Sequence, residues 1–274
     1  MNSPHPSTQP GDSGTAPQSG QYITVRAPGV APLASYVILG FTILMYILQV
    51  TSATLLGANF LQYMLQGSSN GVYFDILSLY GMKINQAILQ GQYWRFITPV
   101  LLHGSILHIG ADMYALYVLG PSLERHFGHI RFILLYLLSG FAGNVASFIF
   151  TSSPSLGAST AIFGVLAAQG VFIYQNRQMF AGRARAALTQ IIFLAVLNLA
   201  IGTSPSIDNW GHVGGLVAGA MFTWFAGPIL ALEGLSPNIT VKDTREDREV
   251  VQASLLVFIV FAILAAVTIY FRGG

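Results

Sequence analysis

Apolar residues in this chain gather in long, nearly unbroken runs separated by short polar stretches. Seven runs stand at about 34–52, 104–122, 130–151, 158–175, 187–203, 210–231 and 252–271. Each meets or approaches the roughly 20 apolar residues that a helix needs to cross a bilayer. Such runs predict helices, because hydrocarbon cannot satisfy the open backbone groups of any other single segment. The second and sixth runs are the weakest: one carries His108 and Asp112, the other His212 and several glycines. Polar groups inside a span are costly, so they point to function.

Composition strengthens this reading. Of the 274 residues, 53% are hydrophobic and 8% are charged, against roughly 25% charged in a soluble domain. Too little charge is present to cover a water-facing surface, so the class is an integral membrane protein with the lipid bilayer as its partner. The net charge of +2 gives no ground for nucleic-acid binding, and the absence of cysteine removes disulfides from the argument. The first 32 residues hold Pro4, Pro6, Pro10, Pro17, Pro28 and Pro32 among Ser, Thr, Gly and Gln. That composition predicts a disordered tail, and without an apolar core the tail does not read as a secretory signal.

Orientation follows from lysine and arginine. With the N-terminus in the cytoplasm, Arg26, Arg125, Arg131, Arg177, Arg183, Arg185, Lys242, Arg245 and Arg248 fall inside, and Lys83, Arg95 and Arg272 fall outside. This asymmetry predicts a cytoplasmic N-terminus and an extracytoplasmic C-terminus. On that map spans two, four and six run inward. His108 and Asp112, Ser159, and His212 then lie in the first turns of those three helices, in one shallow outward layer.

A serine and a histidine in one layer suggest nucleophilic catalysis, in which the imidazole takes the hydroxyl proton. The resulting oxyanion needs donors, and the first N–H groups of a helix are free to serve. His108 and Asp112, at i and i+4, share a helix face. Gly211, Gly215 and Gly219 recur at every fourth position of span six. Gly157 with Ala161, then Gly164 with Ala168, form a similar series in span four. Such small-residue faces bring membrane helices close together. Each residue alone has a plainer reading: Ser159 as a helix cap, His212 as a packed core histidine, His108 with Asp112 as a structural pair, His103 as structural or interfacial. His126 and His129 read as solvated loop residues, Trp94 as a belt aromatic and Arg95 as a loop charge.

Taken together, the motifs resemble the rhomboid family of intramembrane serine proteases. "GAST" around Ser159 resembles the family's GxSG, and "GHVGG" around His212 resembles its His-x-x-Gly. "HGSILHIGADM", with His103, His108 and Asp112, resembles HxxxxHxxxNM, and "YWR", with Trp94 and Arg95, resembles the Trp-Arg pair of the first loop. The match runs in order over about residues 34 to 231. The resemblance implies an all-α polytopic membrane protein, with a rhomboid-like six-helix bundle plus one C-terminal transmembrane helix. Its parts would be a cytoplasmic tail (1–32), a catalytic core (33–231), a cytoplasmic linker (232–250) and a seventh helix (251–274). It further implies Ser159 as nucleophile and His212 as base in a dyad without a third acid. His108 and Asp112 would support the oxyanion, Gly157 would keep the loop compact, and Phe163 would pack on the catalytic imidazole. Residues 67–97, partly amphipathic, would form a half-embedded loop with Tyr73, Phe74 and Ile76 toward lipid. Substrates would be single-span transmembrane proteins, the location a plasma membrane, and neither cofactor nor metal is expected.

Two positions depart from the family pattern. Thr160 replaces a glycine, and its β-branch is bulkier and stiffer. Asp112 replaces an asparagine, and an ionised carboxylate would repel an oxyanion. These departures favour an alternative, a catalytically inactive rhomboid-like protein that binds membrane clients. A transporter would need ionisable groups through the whole bilayer thickness, whereas here they stop near the outward ends. A metal on His108 and Asp112 would lack a clear third ligand.

Overall fold

The computed structural model describes residues 29–67, 75–180, 182–202, 207–234 and 239–273. Most of the N-terminal tail, and Tyr73 and Phe74 of the first loop, lie outside the described residues. The spans are α1 (Leu33–Leu55), α5 (Ile106–Phe127), α6 (His129–Phe150), α7 (Ser159–Gln175), α8 (Ala184–Ile201), α9 (Asn209–Ala226) and α10 (Asp247–Gly273). Between α1 and α5 lie three short helices, α2 (Phe60–Gln66), α3 (Ile76–Gly81) and α4 (Asn85–Leu89), followed by two 3₁₀ turns. Four described helices, α1, α6, α8 and α10, are long and apolar enough to cross a membrane on their own account. The 17 residues of α7 are apolar but short. The remaining two, α5 and α9, are the ones that carry the polar residues.

The core sits around α6, whose buried side includes Phe132, Leu135, Tyr136, Val145 and Phe148. It packs on α7, α9 and α10, and α7 packs closely on α9. In contrast, α8 buries only Ala184 and leans chiefly on α7. Its exposed Ile192, Phe193 and Val196 would be a liability in water but suit a lipid-facing helix. The seventh helix, α10, lies against α6 and α9, with Phe258 stacked on Phe141 at 5.4 Å.

Helix ends explain several buried charges. Pro32, preceding α1, provides no side-chain cap. The carboxylate of Glu124 does so from α5: it accepts the N–H groups of Ala34 and Ser35, both at 2.7 Å, and the Ser35 hydroxyl at 2.6 Å. A negative group at a helix N-terminus is favoured by the unpaired donors and the dipole there. His129, read as a solvated loop residue, keeps a partly exposed side chain but starts α6 and has a partner, its Nδ1 lying 2.6 Å from Glu124 Oε1. His126 is half-buried, with Nδ1 2.9 Å from the Ser122 carbonyl and the ring packed on Phe172.

The first loop is a clasp. Arg95 is 3% exposed and donates to the carbonyls of Met82 at 2.6 Å and Leu79 at 2.8 Å and to Gln92 Oε1 at 2.8 Å. Trp94 donates its indole N–H to the Tyr80 carbonyl at 2.9 Å. These are structural ties that correct the reading of Arg95 as a mere loop charge. Ile76 is exposed, but the amphipathic stretch is broken into short helices rather than one. The stretch read as a linker folds in part as an antiparallel hairpin, β1 (Leu230–Glu233) with β2 (Thr240–Asp243). An ion pair between Asp243 and Arg131 of α6 ties it to the bundle.

Candidate active site

The site is assembled where the N-terminal ends of α5, α7 and α9 meet. Ser159 is the first residue of α7, and its helix cap is Ala158, so the serine does not serve as a side-chain cap. The serine Oγ lies 2.9 Å from Nε2 of His212 in the first turn of α9. On the other side of the ring, Nδ1 has no partner among the described residues, so none of them binds the pair through Nδ1 as a third side chain. Phe163, one turn below Ser159, stacks on the His212 ring at 4.1 Å with planes 8° apart, which holds the imidazole edge-on to the serine.

The approach of α7 and α9 depends on the absence of side chains. A Cβ on Gly215 would meet the Thr160 carbonyl oxygen at 2.0 Å, and one on Gly219 would meet that of Gly164 at 2.2 Å. Gly164 in turn faces Ser139 of α6, where a Cβ would lie 2.1 Å from the hydroxyl. Thr160 is accommodated by the same device. A Cβ on Gly143 would come within 2.6 Å of its Cβ, and one on Gly211 within 3.0 Å of its methyl group. The β-branched side chain fills a slot between two glycine backbones, and its hydroxyl is buried without a partner among the described residues.

The loop entering α7 is held from several sides. Lys83 and Ser155 exchange backbone hydrogen bonds of 2.9 and 3.1 Å. The Gly157 N–H donates to the Pro99 carbonyl at 2.9 Å, and the Ala158 N–H to His103 Nε2 at 3.3 Å. The next N–H, that of Ser159, has no acceptor among the described residues, as expected of a helix start. Gly157 has φ of +139°, which disfavours any side chain. A Cβ there would lie 2.8 Å from Nε2 of His108 and 3.5 Å from Oγ of Ser159. The space above Gly157 is thus flanked by the serine hydroxyl and an imidazole nitrogen.

The tautomer of His108 follows from its other nitrogen. Nδ1 accepts the Gly104 N–H at 3.4 Å, so Nε2 carries the proton and can act as a donor. Asp112 lies beneath it. Its Oδ2 is 3.7 Å from His108 Nε2 and 3.1 Å from Nε2 of the fully buried His103. The carboxylate therefore sits between two imidazoles, where an asparagine would offer an amide. Among the described residues no cluster of three His, Cys, Asp or Glu side chains could hold a metal ion.

Two contributors, Asp208 and Lys83, went unread in the sequence, and a third, His103, was read only as structural or interfacial. Asp208 caps α9 by accepting the Gly211 N–H at 3.0 Å, one residue before His212; an aspartate three residues before that glycine was a legible cap signal. His103 reaches the backbone N–H of Ala158 beside Ser159, and Lys83 pairs with the loop before it. Nothing local in the chain signals either contact.

Comparison with known proteins identifies the family. A family model described as the Rhomboid domain matches residues 90–229. The chain is 41% identical over 193 residues to rhomboid protease GluP of Bacillus subtilis, covering 70% of this chain and 35% of that one. It is 32% identical over 201 residues to RHOMBOID-like protein 9, chloroplastic, of Arabidopsis thaliana, covering 71% and 46% respectively. RHOMBOID-like protein 1 of the same plant is 37% identical over 139 residues, 50% of this chain and 36% of that one. The matched region thus spans between a third and a half of these relatives' lengths. With the family region spanning half the chain, and with helices packed as a polytopic bundle, this multi-pass integral membrane protein belongs to the rhomboid family.

Proposed function

We propose that this chain is an intramembrane serine endopeptidase that cuts single-span transmembrane proteins near their extracytoplasmic ends. The observation that carries the reading is the 2.9 Å contact of Ser159 Oγ with His212 Nε2, with Phe163 stacked on the imidazole at 4.1 Å. His212 takes the hydroxyl proton as Oγ bonds to the scissile carbonyl carbon. The oxyanion develops over Gly157, facing the Nε2–H of His108 and the N–H of Ser159. His212 then passes its proton to the leaving amine, and a water molecule, deprotonated in the same way, releases the acyl group. In this scheme Asp112 lies beneath His108 and beside His103 and does not touch the oxyanion.

The inactive client-binding alternative rests on Thr160 and Asp112. The glycine slot around Thr160 weakens its steric ground. The count of basic residues supports a cytoplasmic N-terminus and an extracytoplasmic site and C-terminus, and we assign the protein to a plasma membrane. Purified protein incubated with a tagged single-span substrate tests the activity. Wild type cleaves, Ser159→Ala and His212→Ala do not, and a serine-directed phosphonate labels Ser159 only when His212 is present. Cleavage at the wild-type rate by either alanine variant overturns the assignment.

A further inference from the structure

The C-terminal end of α6 lies beside the site without entering it, yet an unusual number of side chains converge there. A helix leaves its last carbonyls unpaired and its C-terminus partly negative. Arg272, in the last turn of α10, donates from Nη1 to the Phe148 carbonyl and from Nη2 to the Ile149 carbonyl, both at 2.7 Å. Its guanidinium also lies 5.6 Å from the Phe148 ring centre. From the first loop, Asn85 donates to the carbonyls of Phe148 at 3.3 Å and Thr151 at 2.9 Å. The Lys83 ammonium reaches Thr151 at 3.3 Å and Ser153 at 2.8 Å.

This same turn is joined to both halves of the dyad. The hydroxyl of Ser147 donates to Asp208, the residue that caps α9 just before His212, and lies 3.3 Å from the hydroxyl of Ser155. Ser155 stands in the loop that leads directly into Ser159 and is paired there with Lys83. A shift of the last turn of α6 therefore moves the N-terminus of α9 on one side and the nucleophile loop on the other. Arg272 brings the seventh helix into this junction. Its fork spans two consecutive carbonyls, a geometry that a lysine cannot reproduce. Two cations are gathered here in spite of their mutual repulsion. Burial chiefly, opposed by Asp208 and reinforced by Arg272, pushes the Lys83 ammonium down to about 8.

We propose that Arg272 is a positioning residue for the Ser159–His212 pair, acting by clamping the last turn of α6, so that the seventh helix is part of the catalytic framework and not only a membrane anchor. This inference rests on the protease reading. The test uses the full chain in detergent with Arg272→Ala, Arg272→Gln and Arg272→Lys, each normalised to the fraction of protein that a phosphonate can label. Arg272→Ala is expected to lower kcat about tenfold, with KM and the unfolding midpoint nearly unchanged, since the lost geometry concerns reacting groups held to within an ångström. Arg272→Lys recovers part of the loss. Ser147→Ala combined with Arg272→Ala costs less than the product of the two single effects, because both act through one junction. A kcat for Arg272→Ala within twofold of wild type overturns the inference, as does a loss that only tracks unfolded protein. Should Arg272→Ala not fold, the same criteria apply to Arg272→Gln. If wild type neither cleaves nor labels, the protease reading itself fails.

Discussion

Adding one methyl group to α9 should separate His212 from Ser159, the proposed dyad. In Gly215→Ala the new Cβ would stand 2.0 Å from the Thr160 carbonyl oxygen, and ordinary contact begins at 3.4 Å. The neighbour is helix backbone, which cannot swing aside as a flexible side chain would. The two helices must therefore part by roughly 1.4 Å at this level. Thr160 follows Ser159, and Gly215 lies three residues after His212, so most of that displacement reaches the dyad. The contact of 2.9 Å then opens to about 4 Å, beyond hydrogen-bond reach. A misplacement of about 1 Å at reacting groups costs on the order of 100-fold in rate, while overpacking costs about 1–3 kcal/mol in stability. The assay is cleavage of a tagged single-span substrate, with the unfolding midpoint measured in parallel. Gly110→Ala is the control, because no atom lies within 4 Å of its added Cβ. A folded Gly215→Ala enzyme cleaving within threefold of wild type would refute the argument that backbone contact sets the dyad distance.

Other outcomes follow from the same geometry. Gly157→Ala, forced into a left-handed conformation and against the His108 ring at 2.8 Å, should reduce kcat by about 100- to 1000-fold, the range for a lost oxyanion donor; comparable loss in His108→Ala would support a shared cause. Thr160→Val removes a buried hydroxyl that has no partner among the described residues, so the unfolding midpoint should hold or rise, and a clear fall would reveal a hydrogen bond not accounted for. Asp112→Ala should lose at least tenfold in kcat by leaving a void beside the His108 and His103 rings, which lie 3.7 and 3.1 Å from its Oδ2, whereas Asp112→Asn, which keeps an acceptor and adds a donor, should match or exceed wild type. Folded Lys83 loses its proton near 8, and the unfolded lysine does so near about 10.4. The unfolded chain binds more protons between those values, so stability should rise with pH across that window. Thermal unfolding between about pH 7.5 and 9.5 should show this slope in wild type and lose it in Lys83→Met; equal slopes would remove Lys83 as its cause.

Much of this protein was legible one residue at a time. Long apolar runs such as 130–151 and 252–271 announced α6 and α10, because the energetics of a bilayer act on local composition. The small-residue series in spans four and six announced close packing, and the structure makes Gly215 and Gly219 the points of closest approach to α7. Ser159, His212 and Phe163 could be marked by their motifs, since each occupies a set place in its helix.

Contacts between distant segments were decided only by the folded chain. Lys83 read as an outward loop charge, yet it pairs with the loop leading to Ser159, whose Ser155 lies 72 positions further on. The fully buried His103 faces both Ala158 and Asp112, and Arg272 read only as a charge on the outward side, though it grips α6 at a sequence separation of 124. The hairpin after α9 escaped notice because strands of four residues leave almost no periodic signal. Thr160 shows the difference most plainly. From its side-chain shape it threatened the packing behind the nucleophile, and only the juxtaposition of Gly143 on α6 with Gly211 on α9 makes room for it. Local composition determines which segments enter the membrane, whereas the fit of side chains to backbones depends on helices far apart in the chain arriving at one place.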